Sequence, residues 1–138
     1  MRTAIDTNVI SALWSGEPTA RKMAALLGEA RSMGGVVVCA AVYAELLAHP
    51  NASQSFVDTF LAGTGVSVDF DCGEDVWREA ARGFGQYASR RRSSKGTEPR
   101  RLLADFIVGA HATIKADRLL TLDPTRYRHD FATLAIVP

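Results

Sequence analysis

The stretch VVVCAAVYAELLAH, residues 36–49, sets an unbroken apolar, β-branched run directly against a helical pattern. A strand that is apolar at every position is buried on both faces, as parallel sheets covered by helices require. The same juxtaposition stands near the start, where RTAID (2–6) reads as a short strand. Behind it, TNVISALW spaces Val9, Ile10 and Leu13 as a helix does. VSVDF (66–70), RLLTL (118–122) and TLAIV (133–137) supply three more strands. Helical periodicity covers 18–33, 52–62, 74–89 and the segment from Leu102 to Ile114. Strands alternating with helices predict a three-layer α/β/α sandwich with a mostly parallel sheet. A chain of 138 residues supports one core and not two, so residues 1–138 are read as one domain.

Composition narrows the class. With 47% hydrophobic and 22% charged residues the chain is an ordinary globular protein, well away from the polar composition that keeps chains disordered. No segment offers the ~20 uninterrupted apolar residues of a membrane span, and the reading is a cytoplasmic protein without a membrane partner. Cys39 and Cys72 lack metal-ligand spacing and are read as reduced, packed thiols. Setting aside four candidate site carboxylates moves the net charge from +1 to +5, so a surface around a filled site would tolerate anions.

Those four carboxylates carry the chemistry. Asp6 and Asp123 each follow an apolar strand, which places them at the carboxyl edge of the sheet, where open α/β folds form their crevices. Either one alone reads equally well as a helix cap. Glu45 is the one charged group among Val42, Tyr43, Ala44, Leu46 and Leu47, surroundings that make ionisation costly unless something positive meets it. Asp105 sits early in LLADFIVGA, near a helix N-terminus that favours negative charge. Four acids converging there would repel each other, and a divalent cation resolves the repulsion. All-oxygen ligation favours Mg2+ or Mn2+ over zinc, and the reaction class implied is phosphodiester hydrolysis. Alanine at Asp6 or Asp105 is expected to abolish activity and leave the fold intact.

AIDTNVISAL, YAELLAH, ADFIVGAHA and LLTLDPTRY resemble, in order and across nearly the whole chain, the acidic motifs of the PIN domain, particularly VapC-type toxins. The resemblance implies a PIN-like fold in which Asp6, Glu45, Asp105 and Asp123 are the metal-site carboxylates. It further implies that Asn8 is a polar support and that Thr121 lies beside the site. It implies an endoribonuclease leaving a 5′-phosphate, a homodimer, and a cognate antitoxin encoded alongside.

RRRSSKGTEPRR (90–101) contains no apolar residue and is read as a mobile loop. Its Arg90, Arg91, Arg92, Lys95, Arg100 and Arg101 are candidate RNA-backbone contacts, with a merely solvated loop as the other reading. Arg126 and Tyr127 follow Asp123 closely enough to meet a phosphate or a base, although for Tyr127 packing in the core is the preferred reading. His111 lies six residues beyond Asp105, on another helical face, and is not read as a general base; His49 and His129 are treated alike. No G-x-S-x-G elbow occurs, which rejects a serine hydrolase. A haloacid-dehalogenase-like phosphatase needs a second aspartate where Asn8 stands, and a receiver domain needs one where VVVC runs into Ala40. The remaining alternative is a catalytically inactive PIN-like domain that binds RNA or protein, whose signature would be a broken acidic set.

Overall fold

The computed structural model describes residues 1–138. Five strands form one sheet: β1 (Thr3–Ile5), β2 (Val36–Cys39), β3 (Val66–Asp69), β4 (Arg118–Leu120) and β5 (Ile136–Val137), in the order β3-β2-β1-β4-β5. All four pairings are parallel. Between them run α1 (Thr7–Ser15), α2 (Ala20–Met33), α3 (Ala40–Leu46), α4 (Gln54–Thr64), α5 (Gly73–Ser93), α6 (Leu103–Lys115) and α7 (Thr125–Arg128). The sequence steps from β1 outward to β3, then returns past β1 to β4 and β5. Right-handed crossovers therefore set α1–α4 on one face and α5–α7 on the other. β1 and β2, sandwiched between the two layers, are buried at every residue, which is why their sequences show no polar alternation.

β4 and β5 are shorter than their sequences predict. β4 ends at Leu120, although Thr121 N–H still reaches Val137 O at 3.0 Å, and the Thr121 hydroxyl bonds to Asp6. β5 shrinks to two residues because 131–134 form a turn closed by Leu134 N–H on Phe131 O. The larger departure is at the basic stretch. The loop expected from Arg90 begins only after Ser93, since α5 continues through Arg90, Arg91 and Arg92. Absence of apolar residues was the sequence signal, but ion pairs replace apolar contact here. Arg90 grips the buried Asp130 through two hydrogen bonds of 2.8 and 3.2 Å and also meets Glu98 at 3.4 Å. Tyr87 Oη accepts the Arg101 N–H at 2.7 Å and pins the returning chain. Basic residues in the last helical turn also complement the helix dipole.

α5 and α6 pack closely around Phe131, which is 3% exposed. A Cβ on Gly109 would stand 2.3 Å from the Phe131 ring, and one on Gly83 would stand 3.2 Å from Phe106. These two glycines let the helices approach with an aromatic side chain between them. On the far side of α6, the buried His111 places Nε2 at 3.1 Å from Asp69 Oδ2, joining helix to edge strand.

That buried imidazole gives a pH prediction. Burial lowers its proton affinity more than Asp69 raises it, and Arg2 and Lys115 add to the lowering. Folded His111 thus binds its proton less tightly than it would in the unfolded chain, so protonation favours unfolding. The contribution is present in full above the ordinary imidazole range near about pH 6.5 and is lost as pH falls through it. Thermal melts from pH 7.5 down to 5.5 are expected to show this decline, with a shallower slope in His111→Gln; equal slopes would remove His111 as its source.

Candidate active site

Strand order reverses between β1 and β4, and open α/β folds form their ligand crevice at such a reversal, beyond the carboxyl ends of the strands. Asp6 stands there, immediately after β1. As N-cap of α1 it accepts Thr7 N–H on Oδ1 at 2.8 Å. On Oδ2 it accepts the Thr121 hydroxyl at 2.8 Å and the Tyr127 hydroxyl at 2.7 Å. It is 4% exposed. Burial raises its proton affinity, and the hydrogen bonds from Tyr127, Thr121 and Thr7 work in the opposite direction.

Thr121 is the hub beside it. While donating to Asp6, its hydroxyl accepts Asp123 N–H at 3.0 Å and lies 3.4 Å from Asn8 Nδ2. Asn8 Oδ1 accepts Leu122 N–H at 3.1 Å. Thr121 and Asn8 together fix the turn that follows β4, and Asp123 is carried by that turn. Asp123 Oδ1 in turn accepts the Thr125 hydroxyl at 3.0 Å, opening the short helix α7.

Glu45 comes from α3 and Asp105 from α6, two helices that pack on each other. Glu45 Oε1 accepts the Thr7 hydroxyl at 2.7 Å. Burial chiefly raises its proton affinity, and repulsion from Asp6 and Asp105 adds to this. Asp105, in the first turn of α6, accepts Leu102 N–H on Oδ2 at 3.1 Å. This is one half of a capping box, since leucine has no acceptor to return the bond. Between Asp105 and Asp123 lies the Arg126 guanidinium, 3.4 Å from one and 3.2 Å from the other. Burial opposes its charge, but Asp105, Tyr127, Asp123 and Asp6 outweigh burial and keep it protonated.

The four acids thus share one end of the sheet and their donor atoms are all oxygen, a set suited to a hard divalent ion. No three histidine, cysteine or acidic side chains close to the spacing of a finished metal site. The positive charge already among them is that of Arg126.

The PIN domain family profile matches residues 3–132. This chain belongs to the PIN domain family. Comparison with curated protein sequences gives no match. Among solved structures, this PIN domain is similar to a chain of VapBC2 from Rickettsia felis, bound to a DNA fragment from their promoter. That match has a TM-score of 0.69 at 15% identity and covers 99% of this chain and 98% of that one. It is also similar to a chain of VapBC-1 from nontypeable Haemophilus influenzae, with a TM-score of 0.67 at 20% identity, over 99% and 97%. A chain of FitAcB from Neisseria gonorrhoeae matches with a TM-score of 0.58 at 21% identity, over 99% and 96%. At such identities the likeness is one of fold. It agrees with the mostly parallel sandwich read from the sequence.

Two roles in this PIN domain site are not marked by the sequence, which leaves Thr7 aside and offers Tyr127 only as a phosphate or base contact or a core residue. Thr7 braces Glu45, and Tyr127 packs in the core while its hydroxyl bonds to Asp6. The available signal was chemical, because a buried tyrosine hydroxyl needs a partner. The candidate RNA contacts divide. Arg92, Lys95 and Arg100 are exposed, and Arg91 and Arg101 are half-buried near Tyr87. Arg90 is engaged by Asp130 and Glu98 instead of standing free. Arg126 points into the acidic cluster instead of outward. For Asp6→Ala the hydrogen bonds add a cost in stability to the expected loss of activity. The change removes a helix cap and leaves two buried hydroxyls without their acceptor, partly offset by relief of a buried charge. A net loss of about 2 kcal/mol is expected by chemical denaturation; unchanged stability would mean that burial of the charge costs as much as its hydrogen bonds contribute.

Neither cysteine enters the site. Cys39 and Cys72 are buried and unbridged, and burial pushes the Cys39 thiol up to about 11, far from reactive. No helix is long and apolar enough to cross a membrane.

Proposed function

We propose that this PIN domain is a Mg2+- or Mn2+-dependent endoribonuclease, the VapC-type toxin of a toxin–antitoxin pair, acting in the cytoplasm as a homodimer restrained by a cognate antitoxin. PIN domains are in general nucleases that use divalent metal ions, and two of the structural neighbours are VapBC proteins. The observation that carries the reading is the gathering of Asp6, Glu45, Asp105 and Asp123 at the strand-order reversal, with Glu45 under the repulsion of Asp6 and Asp105.

In this reading the four carboxylates hold the ion. When bound, it supplies Lewis acidity toward a phosphoryl oxygen and counter-charge for the leaving group. The chain itself supplies order. Thr121, Tyr127 and Thr7 fix Asp6, Asn8 and Thr121 fix the turn bearing Asp123, and the start of α6 fixes Asp105. Thr7 engages only Oε1 of Glu45, which leaves Oε2 for the ion or for the proton of an attacking water. Arg91, Arg92, Lys95, Arg100 and Arg101 are the candidate grip on the RNA backbone, where each contact would weaken with salt.

The test is cleavage of a structured RNA pool by purified protein, with Mg2+ or Mn2+ and with a chelator. Metal-dependent cutting that leaves 5′-phosphates supports the nuclease. RNA or protein binding without cutting under any ion would favour the binding-module alternative.

A further inference from the structure

We propose that Arg126 is an exchangeable counter-ion of the carboxylate cluster, competing with the divalent ion for Asp105 and Asp123 and so setting the metal concentration at which the site loads. The inference rests on the metal-site reading above and concerns what stands in the ion's way.

Two ion pairs in this protein show the contrast. Arg90 holds Asp130 through two hydrogen bonds, the shorter 2.8 Å, with the carboxylate 4% exposed. That is the planar fork matched to a carboxylate, the geometry of a structural pair. Arg126 instead divides its guanidinium between two acids at 3.4 and 3.2 Å, with neither contact bidentate. Its Nε is buried without any partner, and an unpaired buried donor is costly. A guanidinium so placed is held by the net negative charge around it and not by fitted bonds.

It also has a way out. The Arg126 side chain is 32% exposed and lines a cleft of about 130 Å³ together with Tyr87, Arg101, Thr125 and His129. Leaving the carboxylates would turn the Arg126 side chain into this cleft, where Glu98 and Asp130 offer it other acidic neighbours beside Arg90. Repulsion among the carboxylates gives the position a standing demand for positive charge, which a tethered monovalent cation meets in part and a divalent ion meets better. Each therefore lowers the occupancy of the other, by the reciprocity that governs any two ligands of one site.

The experiment measures Mn2+ binding by the intact protein, from the electron paramagnetic resonance signal of free Mn2+. Wild type, Arg126→Gln, Arg126→Lys and Asp105→Asn are compared, and each is melted with EDTA and with Mn2+. Arg126→Gln is expected to bind Mn2+ at least about tenfold more tightly than wild type. It should also melt lower in EDTA and gain more from Mn2+. Arg126→Lys, which keeps the charge, should bind within a few-fold of wild type and guards against a defect peculiar to glutamine. If Arg126→Gln and Arg126→Lys both bind Mn2+ as tightly as wild type or more weakly, while Asp105→Asn loses binding, the metal site stands. Arg126 then positions its ligands, and the proposal is overturned. If no protein binds more Mn2+ than Asp105→Asn, the metal-site reading fails and takes the proposal with it.

Discussion

An Asp105→Asn protein is expected to cut RNA at least about a thousandfold more slowly than wild type while melting within a few degrees of it. The two halves of this expectation have different origins. In the proposed reaction Asp105 is one of four charges holding the ion, and a neutral amide both weakens ligation and leaves the ion's field less balanced at the phosphoryl group. Loss of about 4 kcal/mol of transition-state stabilisation corresponds to that factor. The fold is spared because the amide oxygen of asparagine can accept the same Leu102 N–H that Oδ2 accepts now. Relief of repulsion among the remaining acids also compensates for the weakened pairing with Arg126. Asp105 is therefore a cleaner probe than Asp6, whose carboxylate bonds to three elements of structure at once. An Asp105→Asn enzyme that cuts at a rate near wild type would remove Asp105 from the site.

Gly109→Ala is expected to cost about 3 kcal/mol and to lower the melting temperature by roughly 10 °C. Helix propensity predicts the opposite sign, since alanine in place of glycine inside a helix gains nearly 1 kcal/mol. Packing decides, because the new methyl would meet the Phe131 ring at 2.3, 2.5 and 2.8 Å. The ring cannot move away freely: it is 3% exposed, stands in contact distance of Gly83, and has Phe106 as an aromatic neighbour with ring centroids 6.3 Å apart. Removing ring atoms should restore much of the loss, so a Gly109→Ala, Phe131→Leu double variant should be more stable than the two single changes sum to. A thermal melt of the single variant above wild type would show that propensity outweighs the clash.

The sheet was legible in the sequence because its central strands are apolar throughout, a pattern characteristic of strands covered on both faces, and the four acids stood out against that background. What stayed hidden depended on partners remote in sequence. The basic run of RRRSSK suits the last turn of a helix as well as a loop, and what decides for the helix, the Asp130 that holds Arg90, lies 40 residues away. Tyr127 and Thr121 reach Asp6 across 121 and 115 residues, so their hydrogen bonds emerge only once β1 and β4 lie side by side. Arg126 could be placed near Asp123 from spacing alone, but whether it faces outward to a phosphate or inward to the acids is a matter of side-chain direction, which spacing does not carry.

The position of β1 in the middle of the sheet has a consequence for the order of events during synthesis. β1 gains one neighbour at residues 36–39, but its other neighbour, at 118–120, is made about 115 residues later. Contacts of such separation form late and slow the search for the native state. The bonds that orient Asp6 need residues 121 and 127, so a growing chain carries no assembled site until Tyr127 has been made. Until that point Asp6 lacks the hydroxyls that brace it, which leaves an interval during synthesis in which the emerging chain meets its surroundings without a formed acidic cluster.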